Sequence, residues 1–400
     1  MSSIQFPLGF SSQKATMSEI LLDVTRLLRR FIQRRLPTGI DRVSLAYVQH
    51  FGDSARAVVT IGRYSVVFSR SGSLKLFESL LNNTADLTLL FSQLLHRDGF
   101  ALLWGRKYGG VFLCNTGHQG LECTSHLVFL QTLGVKSLVL VHDLIPLSHP
   151  EYCRPGEMEK HQSRINNVLR FASGVITNSQ ATLEALLLYA DKTGQSTPPF
   201  IVAPLAAAKL PAPSIISPLP APYFLVLGTI EPRKNHWLLL HIWRRLIERS
   251  GVSAPKLVII GQRGWECENV FDLLERGEAI RDFVIELHSC SDTDLSTYLF
   301  HAQSLLFPSF AEGYGLPLME ALTFGIPVIA SDLPVFREIA GDIPEYLDPL
   351  DSMGWLATIE AYSLPNHPQR TAQENRRRDF NPPTWAGHFQ LVKGLMERLE

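Results

Sequence analysis

Short uninterrupted runs of Val, Ile and Leu, each closed by a turn residue, recur along the chain. In the first half they read ILLDV, SLVLVHD and GVITNS, with AVVTIGRYSVVFS as a hairpin. In the second half they read YFLVLGT, KLVIIG, FVIEL, SLLFP and PVIAS. A strand with one wet face alternates apolar and polar residues; a strand apolar throughout is covered on both faces. Helical patterns separate these runs, so the chain predicts parallel sheets wrapped by helices. The stretch TWAGHFQLVKGLMERLE places Trp385, Phe389, Val392, Met396 and Leu399 at spacings of four and three. Those positions form one apolar helical face, which needs a groove to bury it.

Eight of the 25 prolines fall between Pro198 and Pro222. Proline removes a backbone donor and fixes φ, so this run predicts a stiff linker with neither helix nor sheet. The fold class expected is α/β, with two doubly wound, Rossmann-like domains facing a cleft. The expected division is 1–205 for an acceptor-side domain, 206–222 for the linker, 223–380 for a nucleotide-binding domain and 381–400 for a helix crossing back to the first domain. A chain of 400 residues is long enough for two cores, and 46% apolar with 19% charged residues suits a globular protein. The formal net charge of −1 offers no bulk attraction to nucleic acid. Five cysteines with no C-x-x-C pair argue against a disulfide framework or a zinc site and fit a reducing compartment. The segment MSSIQFPLGFSSQ lacks the basic start and apolar run of a signal peptide, and no run reaches 18 apolar residues. A cytoplasmic protein is expected.

In an open parallel sheet, ligands bind beyond the carboxyl ends of the strands. There the second half carries TIEPRKNH, QRGWE, HSCSDTD, SFAEGYG and SDLP. Arg233, Lys234, Glu312 and several glycines converge on this edge. Gly313 and Gly315 allow close backbone approach and positive φ. Pro317 suits the first helical position and Gly325 the end, predicting a helix over Leu316 to Phe324. Its free amides are suited to a phosphate, and Arg233 and Lys234 would neutralise more of the charge. Glu312 and Glu320 would repel a phosphate unless they accept hydroxyl hydrogen bonds. A nucleoside diphosphate sugar meets that condition, with ribose on Glu320 and the hexose on Glu312. Taken singly, each feature has a plainer reading as a solvated acid, a glycine turn or a surface charge. The plainer readings do not predict that all three follow strands on one edge. The D-x-D at Asp292 and Asp294 suits a divalent metal, but Asp and Thr there are also ordinary helix caps.

GTIEPRKNH together with FPSFAEGYGLPLMEALTFGIPVIASD resembles the retaining glycosyltransferases of family 4, which have the GT-B fold. The second half resembles them over nearly its whole length. PTGIDRVSLAYVQHF, NTGH, VHDLIPLSHPEY, VITNSQAT and VAPLA resemble them more loosely in the first half. The resemblance implies that Arg233 and Lys234 bind the diphosphate, Glu312 the transferred sugar and Glu320 the ribose. It implies that Gly313, Tyr314 and Gly315, with Leu316, lie along sugar and phosphate. His142 would approach the sugar from the first domain, and Gly39 would lie near the diphosphate. His118, in NTGH, is a further candidate. Two departures stand out: Thr38 occupies a position where the family often has glycine, and His236 follows PRKN where an apolar residue is usual. The activity implied is transfer of a hexose with retention, mannose from GDP-mannose before a UDP-sugar, to a glycan or polyprenyl-diphosphate-linked acceptor. No metal and no cofactor are expected. An epimerase, a phosphorylase or a non-catalytic nucleotide-binding protein on the same fold are the rivals. The basic stretch from Arg26 to Arg35 reads as a solvated loop, with peripheral contact to anionic lipid at the inner face of the membrane as the alternative.

Overall fold

The computed structural model describes residues 19–35, 37–62, 64–82, 87–98, 110–220, 222–364 and 366–400. The N-terminal segment read above for a signal peptide lies outside them. Among the described residues, seven strands form the first sheet: β1 (Ile20–Asp23), β2 (Arg56–Ile61), β3 (Tyr64–Val67), β4 (Val111–Asn115), β5 (Val135–Val141), β6 (Gly174–Thr177) and β7 (Phe200–Val202). Their spatial order is β3-β2-β1-β4-β5-β6-β7. All neighbours are parallel except β2 and β3, the expected hairpin, which pairs Val58 with Val67 and Ile61 with Tyr64. Six strands form the second sheet: β8 (Tyr223–Leu227), β9 (Lys256–Ile260), β10 (Val284–Leu287), β11 (Leu305–Phe307), β12 (Val328–Ser331) and β13 (Glu345–Leu347). Their order is β10-β9-β8-β11-β12-β13, parallel throughout. β1, β4, β6, β8, β11 and β12 are buried at every position, as runs apolar throughout require.

Strand order reverses between β1 and β4 in one sheet and between β8 and β11 in the other. Loops leaving adjacent strands at such a point run to opposite faces and leave a crevice. The second crevice is flanked by Pro232–Lys234 after β8 and by Ser309–Gly315 after β11.

Two expectations fail here. The proline run does carry sheet: Phe200–Val202 pairs with Val175–Thr177 as an edge strand, between Pro199 and Pro204. An edge strand needs donors on one side only, so flanking prolines cost it little. The basic stretch is not a solvated loop. Thr25–Ile32 is a helix that buries Leu27 and Leu28. Arg26 Nε lies 2.9 Å and Arg30 Nε 2.8 Å from the carboxylate of Asp41. Asp41 is 1% exposed, and a buried carboxylate requires paired charge. Arg29, Arg34 and Arg35 remain on the surface.

The Trp385–Leu399 helix packs on the first domain. Phe389, Val392, Leu395 and Met396 are buried there; Trp385 and Leu399 pack at the margin. His388 Nε2 meets Tyr47 Oη at 2.9 Å, and the His50 ring stacks on Phe389 at 3.9 Å between centroids. The connecting segment is also anchored: the Ser214 amide donates to Thr297 Oγ1 at 3.0 Å.

Candidate active site

After β8 the chain makes a 3₁₀ turn, Pro232–Lys234, and Asn235 takes a left-handed conformation at φ 55°. That turn points Arg233 and Lys234 at the loop after β11. Glu312 receives both: Arg233 Nη1 at 2.7 Å and Lys234 Nζ at 2.5 Å, with Ser309 Oγ donating at 2.7 Å. Arg233 is held from behind by Glu231, Nη2 to Oε1 at 2.6 Å, and it donates to the Ala311 carbonyl at 2.9 Å. Burial pushes the Glu312 carboxyl up. The Arg233 and Lys234 charges, with hydrogen bonds from Lys234 and Ser309, outweigh it and bring the pKa down to about 2. Glu312 is therefore a fixed carboxylate with two cations beside it.

Leu316–Phe324 is helical, as expected, although Pro317 is its second residue rather than its first. Gly315 sits at φ 121°, and a Cβ there would meet the Phe336 ring at 2.8 Å. Gly313 needs its lack of side chain for a different reason. A Cβ there would lie 2.7 Å from the His142 carbonyl of the first domain. Tyr314 seals the turn, donating its hydroxyl to the Leu205 carbonyl at 2.7 Å. Among the described residues, the amides of Tyr314, Gly315 and Leu316 donate to no protein acceptor. They form an open helix N-terminus, with its partial positive charge.

The first domain brings a second N-terminus to the same place. Gly39 opens the Gly39–Phe51 helix behind a Thr38–Asp41 capping box, and a Cβ on Gly39 would lie 3.3 Å from Leu316 Cδ1. Two helix starts thus face each other across the cleft, beside Arg233 and Lys234.

Glu320 lies on the next turn of its helix and is 5% exposed. Burial raises its pKa; Arg42 and the Ala208 backbone act against that rise. Arg42 comes from the first domain, with Nη1 3.1 Å from Glu320 and Nη2 3.3 Å from Asp292. Sequence reasoning missed Arg42, whose partner lies 278 residues away. D-x-D is resolved differently from the expected cap. Ser291 caps the Asp292–His301 helix by accepting from the Asp294 amide at 3.1 Å, and both aspartates lie in the first turn.

His142 follows β5, 6% exposed, its Nε2 2.8 Å from the Thr116 carbonyl. The cleft is also bridged by Thr182 Oγ1, which donates to the Gly313 carbonyl at 3.2 Å, and by the Tyr152 and Phe310 rings, stacked at 5.5 Å. The structure therefore gathers Gly39, His142, Arg233, Lys234, Glu312, Gly313, Tyr314, Gly315, Leu316 and Glu320 along one cleft. His236 is set apart, buried on the inner face of its helix with both ring nitrogens unpartnered among the described residues.

The family described as Glycosyl transferases group 1 matches residues 213–344, the segment that carries Arg233, Lys234, Glu312 and Glu320. Residues 213–344 are thus similar to a group 1 glycosyl transferase domain. Among curated relatives, the serotype-specific mannosyltransferase WbdA of Escherichia coli is 27% identical over 300 residues. That match covers 69% of this chain and 35% of WbdA, so the chain spans about a third of the relative's length. The O-antigen chain mannosyltransferase B of E. coli is 37% identical over 129 residues, 32% of this chain and 33% of its own. Among solved structures, HepE of Anabaena, in complex with UDP and glucose, aligns over 95% of this chain and 100% of its own at TM-score 0.67 and 15% identity. Sucrose-phosphate synthase of Thermosynechococcus elongatus aligns over 96% of this chain and 99% of its own at TM-score 0.60 and 16% identity. At such identities the likeness shows the fold, which is GT-B. The matched segment supplies both cations and both acids of the cleft. The other half supplies Gly39, Arg42 and His142. Among the described residues, no helix is long and apolar enough to cross a membrane.

Proposed function

We propose that the protein is a retaining hexosyltransferase. It moves mannose from GDP-mannose to a hydroxyl of a glycan or polyprenyl-diphosphate-linked glycan, at the cytoplasmic face of a membrane. The observation that carries this reading is the meeting of two helix N-termini with Arg233 and Lys234, next to the fixed carboxylate of Glu312. Amides and cations suit a diphosphate. A carboxylate beside them suits hydroxyls. Only a ligand carrying both groups satisfies both, and a nucleotide sugar does. The mannose assignment leans on the relatives, which are mannosyltransferases by name. A UDP-sugar is the second reading, favoured by HepE, a fold neighbour in complex with UDP and glucose.

In the transfer, the bond from the anomeric carbon to the diphosphate oxygen breaks as the acceptor oxygen bonds to the same carbon. The acceptor proton passes to the departing phosphate oxygen, on the face that the diphosphate leaves. The main contribution of the protein is preorganised positive charge on the leaving group. Arg233, Lys234 and the amides before Leu316 provide it, so turnover needs no divalent metal. Glu312 would hold the sugar hydroxyls where positive charge develops, Glu320 would take the ribose, and exposed Arg29, Arg34 and Arg35 would face anionic lipid.

A panel of nucleotide sugars, read by nucleotide release with and without lipid-linked acceptors, tests this reading. GDP-mannose should turn over fastest, faster still with acceptor, and unchanged by excess EDTA, with the anomeric configuration kept. Consumption without acceptor to an epimerised sugar, or a requirement for inorganic phosphate, would overturn it. Loss in EDTA with recovery on Mn²⁺ would overturn the metal-free leaving group and move attention to Asp292 and Asp294.

A further inference from the structure

Three histidines of the first domain stand together on the cleft side of its sheet. His118 follows β4 in a left-handed turn at φ 59°, its amide donating to Asn115 Oδ1 at 2.9 Å. His142 follows β5. His161 lies on the Glu157–Phe171 helix. The ring centroid of His118 is 5.2 Å from that of His142 and 5.9 Å from that of His161. Each Nε2 meets a backbone carbonyl: Leu140 at 2.8 Å for His118, Thr116 at 2.8 Å for His142, and Asp143 at 3.2 Å for His161.

A carbonyl oxygen only accepts, so each Nε2 carries its hydrogen. In a neutral imidazole the other nitrogen, Nδ1, then holds a bare lone pair. Burial, above all, keeps the three rings neutral. Among the described residues, no protein group bonds to any of these Nδ1 atoms. The three lone pairs are therefore left without a protein donor.

Three acceptors without a donor repel anions and attract hydroxyls. A metal ion also seeks lone pairs, but among the described residues no group of such ligands has the geometry to hold one. We propose that His118 and His161, together with His142, form a hydroxyl-accepting floor that orients the acceptor sugar. This proposal rests on the transferase reading above. It adds two positioning residues from the half of the chain that the group 1 family match does not cover. His142, nearest the cross-cleft contact with Gly313, lies between donor sugar and acceptor. His118 and His161 extend the same chemistry away from it.

The test uses the whole protein, labelled with ¹⁵N in its histidine rings and held with saturating GDP. Methyl glycosides of mannose, galactose and N-acetylglucosamine are the probes, with GDP-mannose turnover measured in parallel. The proposal expects all three rings as neutral Nε2–H tautomers, with the Nδ1 signals of His118 and His161 moving when a glycoside binds. His118→Gln and His161→Gln should each raise KM for the glycoside by up to about tenfold, one neutral hydrogen bond. The affinity for GDP should stay within about twofold, since the variants remove no contact to the diphosphate. Nδ1–H tautomers, rings indifferent to every glycoside, or zinc held by these rings would each overturn the floor. So would variants that act on the donor instead. The wild-type ring signals decide the matter even where a variant fails to fold. A wild type that binds neither GDP nor UDP would instead overturn the transferase reading, and the floor with it.

Discussion

Glu312 and Glu320 stand eight residues apart in sequence and are both nearly buried, yet their surroundings differ in kind. Glu312 is served by Arg233, Lys234 and Ser309, all from its own domain. Its carboxyl is pulled down to about 2. Glu320 has a side-chain partner, Arg42, on the other domain and a backbone partner, Ala208, on the connecting segment, and burial raises its pKa. One acid is set by local chain geometry whatever the cleft does. The other is shared by the parts that must move when a two-domain site opens. The contrast suits one acid placed for chemistry and one placed for capture.

The largest effect should separate the two acids kinetically. Glu312→Ala should lower kcat by about a hundredfold, roughly 2.7 kcal/mol of transition-state stabilisation. Glu320→Ala should instead raise the donor KM by about tenfold and leave kcat within about threefold. Equal small losses in steady-state assays of the two variants would dissolve the contrast.

The next effect concerns stability against pH. With a folded pKa below its ordinary 4.5, Glu312 contributes stability above that value and loses it as pH falls toward about 2. Denaturant titrations should show Glu312→Gln less stable than the parent by on the order of 2 kcal/mol at pH 7, with the gap narrowing toward pH 3. Glu320 has the opposite sign. Its contribution is complete below its ordinary value and is lost as pH rises through the raised one, so Glu320→Gln should cost little at pH 7. A gap for Glu312→Gln that is constant with pH would contradict the ionised pair.

The smallest effect sharpens the capture side. On the proposed reading Arg42 occupies the carboxylate that would take the ribose, so Arg42→Met should tighten nucleotide binding by about threefold, the scale of one partly exposed ion pair. Weaker binding by calorimetry would make Arg42 a ligand of the nucleotide rather than its competitor.

Much of this site was legible in the residues themselves. Gly315, Pro317 and Gly325 predict the helix, apolar runs predict most strands, and the spacing from Trp385 to Leu399 predicts a buried face. Local chemistry speaks in short windows, and what escaped lies outside them. β4 is the exception: its run, VFLCN, is as local as those of the expected strands. Phe200–Val202 hides between prolines because only its pairing partner makes it a strand. Arg26 and Arg30 read as surface charge until Asp41 is seen beneath them. Arg42 lies within the PTGIDRVSLAYVQHF stretch with no role of its own read there, and His161 sits on a helix with no motif; each gains meaning from partners in other elements.

The central claim is that the second domain holds a nucleotide diphosphate through Arg233 and Lys234. Calorimetric titration of the whole protein with GDP, and with UDP in parallel, tests it most directly. Saturable binding should weaken by more than tenfold in Arg233→Ala and again in Lys234→Ala, since each removes a charge-assisted contact of about 1.5–3 kcal/mol. Binding of the same strength in the parent and both variants would contradict it.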